Sequence, residues 1–294
     1  SKITNMIFNK QDIPLLEYVE DDGDKVEPFY YMPIIPMILV NGSEGIGTGW
    51  SSGVPKFNPI DLINNIKKLM NEQEPDTLVP WLRGFKGKIT PINNNVWLTK
   101  GVYSIKDTKT IVITELPYGT WTDNYKAFLD SLVMSYHDNH KKSKDHIKDE
   151  KGKGKGKTKK VIESYLIDYQ NECSESNIKF VLTFEPNGLA KNLNSFEKDG
   201  SNKFESIMRL TSRISCDKRL NVYDENRNLV TFKSVNDILK NYYKVRLDYY
   251  QKRKDYILNK MKSEVELISL KVKFILDIIN NKIKVNNKSK KEIY

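Results

Sequence analysis

Residues 41–50 (NGSEGIGTGW) place four glycines around one isolated β-branched residue, Ile46. Glycine on both sides of Ile46, at Gly45 and Gly47, permits a tight backbone excursion that few other residues allow. Such a loop can cradle a phosphate, pack as a plain turn against a sheet, or hold an apolar wedge aloft; local chemistry leaves all three open. Other candidate chemistry is thinner. The GKT at residues 156–158 imitates the end of a phosphate-binding P-loop, but Lys151 stands where the first glycine belongs and no strand precedes it. Asp224, Asn226 and Asn228 imitate the start of a calcium loop, yet Leu229 replaces the required glycine and no glutamate closes it, so a turn is expected. The DDGD at residues 21–24 likewise reads as a solvated turn. All three histidines, His137, His140 and His146, share one polar stretch, so no triad or zinc site can be assembled from distant histidines. Two cysteines, Cys173 and Cys216, cannot staple a domain of this size and point to a reducing compartment.

The elements that must position these residues are read from patterning. The chain has 294 residues, 38% hydrophobic and 29% charged, enough for one or two domains with real cores. No apolar run reaches the ~18 residues of a membrane span, so no membrane partner is expected. The first residues lack a signal-peptide pattern and begin without Met, so the chain is expected to be a piece of something longer. Residues 33–40 form an apolar run expected to be buried. Residues 59–70 have helical spacing through Ile60, Ile63, Ile66 and Leu69. Segments 96–99, 102–105 and 110–116 read as strands, 162–169 and 177–184 continue the mixed pattern of short elements, and residues 220–232 read as a hairpin around Asp224 to Asn228.

Of the net charge of +10, most sits in residues 137–160, with ten lysines against four carboxylates. This Lys/Gly-rich stretch is expected to be a disordered insertion, because it has too little apolar surface to offset chain entropy. From Ser234 the pattern changes. Ser234 with Asp237 reads as a capping signal, and no Gly or Pro follows. Met261, Val265, Ile268, Val272, Ile275 and Ile279 recur at alternating spacings of four and three, a coiled-coil seam. Upstream, Leu239, Tyr243, Tyr250 and Ile257 keep the alternation, with Arg246 and Arg253 at the intervening positions, a weaker seam. A helix of about 45 residues would run near 70 Å. The expected fold class is α+β: a mixed, strand-rich domain followed by a long coiled-coil helix.

Several long segments in order then become recognisable: YYMPIIPMILVNGSEGIGTGW, VPKFNPIDLINNIKKLM, WLRGFKGKI, ITELPYGTWTDNYKAFL, NIKFVLTF and VNDILKNYYKVRLDYYQKRKD. Together they resemble eukaryotic-type DNA topoisomerase II, the ATP-dependent type IIA enzymes, over nearly everything except the lysine-rich insertion. Bacterial relatives carry a GIAVG-type loop, so the GIGTG of residues 45–49 favours the eukaryotic branch. The resemblance implies the back part of the DNA breakage-reunion core: residues 1–33 end a winged-helix domain, 34–230 form the tower with the insertion at 137–160, and 231–294 form the first coiled-coil arm. It also implies a nuclear homodimer that holds double-stranded DNA, cuts both strands, passes a second duplex and reseals the first.

Chemistry in that family is a transesterification by an Arg-Tyr pair, with Mg²⁺ held by a separate acidic domain and ATP by another. None of the seven arginines here precedes a tyrosine. The resemblance therefore implies no catalytic residue, no metal site and no cofactor in this chain, with Mg²⁺ and ATP belonging to the full-length enzyme, and no cleavage by this piece alone. It implies that Ile46 inserts between base pairs in the minor groove and bends the duplex, flanked by Gly45 and Gly47 as DNA-binding residues. Unstacking costs a few kcal/mol per step, offset by contacts along the bent duplex, and a side chain stiff at χ1 with no polar atom suits the task. Trp121 matches a DNA-contacting tryptophan ahead of a helix expected to be capped by Thr122, whose free N–H groups would favour phosphate. Arg209, Thr211, Ser212, Arg213, Ser215 and Lys218 match a DNA-contacting stretch, although Arg213 and Asp217 depart from its usual small polar residues. Arg83, Lys86 and Lys88 could extend a phosphate track, against the plain reading of solvated surface cations. The rival reading is a non-enzymatic nucleic-acid-binding protein with a coiled-coil dimerisation arm; a third makes the lysine-rich insertion the main DNA contact.

Overall fold

The computed structural model describes residues 1–145, 165–185 and 202–283. In chain order the elements are α1 (Lys2–Ile7), a 3-10 helix (Lys10–Leu15), β1 (Tyr18–Asp21), β2 (Asp24–Pro28), α2 (Met37–Asn41), β3 (Ser43–Gly47), β4 (Trp50–Val54) and α3 (Pro59–Met70). There follow β5 (Lys88–Asn93), β6 (Val96–Lys100), β7 (Val102–Ile105), β8 (Thr110–Glu115), α4 (Thr122–Asp145), β9 (Leu166–Asn171) and β10 (Phe180–Phe184). The described chain closes with α5 (Lys203–Ile207), β11 (Thr211–Ser215), β12 (Asn221–Tyr223), β13 (Leu229–Thr231) and α6 (Val235–Ile279). The elements group into two bodies, one of residues 1–37, 69–72 and the chain from Ile238, the other of residues 38–68 and 73–237.

In the first body the DDGD turn is a two-residue hairpin loop: Asp21 pairs with Asp24, while Asp22 and Gly23 take φ of 48° and 88°, the twist that suits flanking strands. The arginines of the weak seam have a different task from the one expected. Arg246 is buried and donates to Asp12 at 2.8 Å, and Arg253 Nε donates to the same carboxylate at 2.6 Å. These positions therefore pack on the 3-10 helix; Asp12, 234 residues upstream of Arg246, gave no local signal of it. Farther along α6, the six seam residues from Met261 to Ile279 are all exposed. The helix has the expected 45 residues, begins where Asp237 N–H donates to Ser234 Oγ at 3.2 Å, and ends where Asn281 takes φ 56°.

The second body has an antiparallel sheet of order β7-β8-β10-β9 and another of order β11-β6-β5. Alternating residues of the first, including Ile111, Ile113, Phe180, Leu182 and Phe184, meet Tyr125, Phe128, Leu129 and Leu132 of α4 in one buried cluster. Trp97 on β6 is fully buried, stacks edge-on to Phe57 and donates its indole N–H to Leu78 O at 3.2 Å. The turn expectation at Asp224 holds, since its Oδ1 accepts from the N–H groups of Asn226 and Asn228 at 2.9 and 2.8 Å.

Three expectations need adjusting. α3 buries Leu62 and Asn65 and leaves Ile60 and Ile63 exposed, because Asn65 is engaged through both amide atoms with the backbone of Asp76 at 2.9 and 3.1 Å. Of residues 33–40, only Pro36 and Leu39 are buried, and the segment turns into the short α2. α4 runs on to Asp145, so the first residues of the stretch expected to be disordered are helical, while residues 146–160 lie outside the described residues. Among the described residues no helix is long and apolar enough to cross a membrane.

Candidate nucleic-acid interface

β3 and β4 form a hairpin in the register Gly45↔Ser52, Ile46↔Ser51, Gly47↔Trp50. Its two-residue loop is Thr48 and Gly49, with Gly49 at φ 78°. Entry depends on Gly42 at φ 69°, where a Cβ would lie 2.8 Å from Val54 O and 2.9 Å from Lys56 Cγ. The glycines flanking Ile46 play another part than expected: Gly45 and Gly47 are extended, not left-handed. A Cβ at Gly45 would meet nothing within 4 Å, and at Gly47 only Trp50 O at 3.8 Å. Their bareness therefore clears the flanks of Ile46 without relieving the backbone. Ile46 is 91% exposed. Covering such a side chain is worth roughly 1.5–3 kcal/mol, which only a partner surface can supply at this tip.

The base of the hairpin is held by the segment after β11. Gly53 N–H donates to Arg219 O at 2.7 Å, and the Arg219 guanidinium lies over Gly53, where a Cβ would come within 2.8 Å of its Cζ. The guanidinium also reaches Ser52 O and Glu44 Oε1, each at 3.4 Å. Asn221, buried on β12, donates to Ser51 O at 2.6 Å and accepts from Thr231 Oγ1 at 2.6 Å. Ser52 Oγ in turn donates to Asn221 O at 3.0 Å.

Trp121 is 76% exposed, so the packed alternative does not apply. Its carbonyl accepts from Tyr125 N–H at 3.0 Å, which puts Trp121 itself at the helix cap and Thr122, the expected cap, inside the first turn. Asp123 already complements the positive end of the helix there, so a phosphate would meet a carboxylate as well as free N–H groups. Arg209 adopts φ 50° and lays its guanidinium 4.2 Å over the Phe128 ring. Burial pushes the Tyr125 phenol well above its ordinary range, so it stays a neutral donor to Met208 O at 2.8 Å and ties the turn before Arg209 to α4. β11 pairs with β6, with Thr211 opposite Lys100 and Arg213 opposite Leu98; Arg213, Ser215 and Lys218 are exposed, Lys218 at φ 58° in the following turn.

A groove of about 1100 Å³ joins these parts, lined by Glu44 and Gly53 at the hairpin base, Arg219, Ser212, Arg213 and Ser215, then Arg83 and Trp121. A recess of about 320 Å³ beside Trp121 adds Asn124, Phe128, Arg209 and Thr211. Most sequence-expected contacts thus share one continuous surface. Gly45, Ile46, Gly47, Lys86, Lys88 and Lys218 do not line it; Lys56 and Arg219, which do, and the anchoring Asn221 were missed. Arg219 adjoins the expected run and could have been included as a cation; nothing local marked Asn221, whose partners lie 170 residues upstream and 10 downstream. An open groove with four basic side chains on its wall can follow a phosphate backbone, and the exposed aliphatic side chain on the hairpin whose base lines that groove can press on stacked bases.

A sequence profile of the DNA gyrase/topoisomerase IV family, describing the A-type polypeptide of those enzymes, matches residues 1–294. The chain is 39% identical over 293 residues to DNA topoisomerase 2 of Saccharomyces cerevisiae, covering 100% of this chain and 18% of that protein. It is 37% identical over 288 residues to DNA topoisomerase 2 of Plasmodium falciparum, covering 98% of this chain and 18% of that one. The crystal structure of the Plasmodium falciparum topoisomerase II DNA-binding, cleavage and re-ligation domain is similar at a TM-score of 0.74 and 36% identity, over 99% of this chain and 35% of that one. The chain spans less than a fifth of the length of these two curated relatives.

Proposed function

The chain belongs to the DNA gyrase/topoisomerase IV family, on its eukaryotic topoisomerase II branch, and we propose that it forms part of a DNA gate, binding and bending the duplex that the whole enzyme cuts and reseals. The observation that carries this is Ile46, 91% exposed between two bare glycines near the tip of a hairpin whose base lines a basic groove. An aliphatic side chain so placed gains by entering a base step, and the cost of unstacking is offset as the bent duplex lies along the groove. Arg83, Arg213, Arg219 and Lys56 line the wall that would follow the phosphates. Trp121, which also lines the groove, offers an amphipathic contact. The rival reading, a non-enzymatic binding protein with a dimerisation arm, is not favoured, because the family match runs the length of the chain.

In the same proposal the whole protein is a nuclear homodimer in which residues 1–33 end a winged-helix domain, 34–230 form the tower and 231–294 begin the coiled-coil arm. Mg²⁺ and ATP serve that whole enzyme. Among the described residues no group of three or more His, Cys, Asp or Glu could hold a metal. The nucleophile and its cation are likewise assigned to other parts of the whole protein; this chain's own contribution is shape.

The test is Ile46→Ala in the full-length protein, read by fluorescence transfer between duplex ends. The bend is expected to fall sharply while affinity stays within about tenfold, because losing the wedge contacts also removes the unstacking cost. An unchanged end-to-end distance rejects the wedge assignment.

A further inference from the structure

We propose that Asn221 is a positioning residue for the wedge: its amide holds the hairpin at the residue directly opposite Ile46 and so sets the direction in which Ile46 points. The inference rests on the DNA-bending reading of Ile46 above.

The register pairs Ile46 with Ser51, and it is Ser51 O that accepts the Asn221 Nδ2–H bond at 2.6 Å. Asn221 is 8% exposed, and its amide is oriented from the other side by the Thr231 hydroxyl, which donates to Oδ1 at 2.6 Å. The second Nδ2 proton reaches Lys218 O at 3.3 Å, so both ends of the amide are satisfied and only one flip state fits. β12 and β13 thereby reach the hairpin strand at Ser51 through the Asn221 side chain. Ser52 Oγ, bonded to Asn221 O, and Gly53 N–H, bonded to Arg219 O, fix the next two residues of β4 to the same segment. Three consecutive residues of β4 are therefore tied on the strand opposite the wedge, and the Arg219 guanidinium adds a longer contact to Glu44 Oε1 on the wedge's own strand at 3.4 Å. A two-stranded ribbon has no sheet of its own to resist the force needed to part a base step. Here that resistance comes from the anchor. Arg219 supports it by lying flat over Gly53, in space that any Cβ at position 53 would invade.

The test compares full-length Ile46→Ala, Asn221→Ala, Asn221→Asp, Thr231→Val and Gly53→Ala at saturating protein. Duplex bend is read by end-to-end fluorescence transfer, base unstacking by a fluorescent adenine analogue at the wedged step, and affinity and thermal unfolding separately. Asn221→Asp keeps the shape and removes the donor, and Gly53→Ala displaces the Arg219 guanidinium without removing its charge. Each anchor variant is expected to lose about half or more of the bend and unstacking signal that Ile46→Ala loses, with affinity within about threefold for the Asn221 and Thr231 variants. Thr231→Val, remote from the hairpin, is expected to shift the same signals in the same direction. If Ile46→Ala lowers the bend but every folded anchor variant bends DNA as the parent does, the positioning role is wrong and the wedge stands. If Ile46→Ala itself leaves the bend unchanged, the wedge reading falls and the anchor falls with it. A plain stability effect would lower the unfolding temperature and leave the bend of the bound complex intact, which also overturns the proposal.

Discussion

Ile46 and Trp121 are large apolar side chains that the fold leaves in water, at 91% and 76% exposure. Neither contributes to the core, so their removal separates function from stability. Trp121→Ala is expected to change unfolding stability by no more than about 0.5 kcal/mol, yet to weaken duplex binding measurably by fluorescence anisotropy. Asp12 is the opposite case, a buried carboxylate between Arg246 and Arg253. Replacing it by Ala leaves two arginines without their counter-charge and is expected to cost about 3–5 kcal/mol in denaturant unfolding. Burial alone would raise the Asp12 pKa, but hydrogen bonds from Arg253 and Arg246 outweigh burial and bring it below 3.8. A carboxyl depressed in the folded state stabilises fully above its unfolded pKa, and that stabilisation is lost as pH falls through the folded value. The Asp12 contribution should therefore hold at neutral pH and disappear only below about pH 4, visible as an acid limb that Asp12→Asn lacks.

At the scale of the hairpin, two glycines with the same residue type have opposite sensitivities. Gly42 is left-handed and hemmed in by Val54 O, so Gly42→Ala is expected to destabilise by about 1–3 kcal/mol and to expose the hairpin amides to hydrogen exchange. Gly45 is extended with open space at its Cβ position, so Gly45→Ala should leave unfolding unchanged and reduce duplex bending, because the added methyl stands where the partner must approach. Equal destabilisation by both would count against the division of labour. α3 shows how a face can be misread: isoleucine spacing ran through Ile60, Ile63, Ile66 and Leu69, of which the first two are exposed and the last two half-buried, while Leu62 and Asn65, the latter bonded to the Asp76 backbone, are the buried positions. A polar residue that is fully bonded inside looks like a surface residue in a sequence.

Across the whole molecule, binding through several cations should weaken steeply with salt, the logarithm of affinity falling about linearly with the logarithm of salt concentration. Much of the net +10 is not in the groove: residues 146–160 carry seven lysines against two carboxylates. Because α4 runs to Asp145, a clean deletion starts at residue 146. Deleting 146–160 is expected to shallow the salt slope and lower affinity modestly while the bend survives. Loss of the bend would make that stretch, and not the hairpin and groove, the principal DNA contact.

The long helix and its cap, the strands at 96–115 and the two Asp-containing turns were legible because each depends on neighbours a few residues apart, a period or a cap pair, whereas local chemistry around Ile46 left cradle, turn and wedge open and only the family resemblance singled out the wedge. What the sequence could not determine were contacts between distant residues. Asp12 finds two arginines more than 230 positions away, and Asn221 grips a carbonyl 170 positions upstream. Local patterning carries no information about such partners, because a buried polar group is stabilised by whatever donor or acceptor the fold brings to it. The tertiary structure alone decided that the arginines of α6 serve a carboxylate, that the glycines around Ile46 keep space clear, and that the strand opposite Ile46 is anchored.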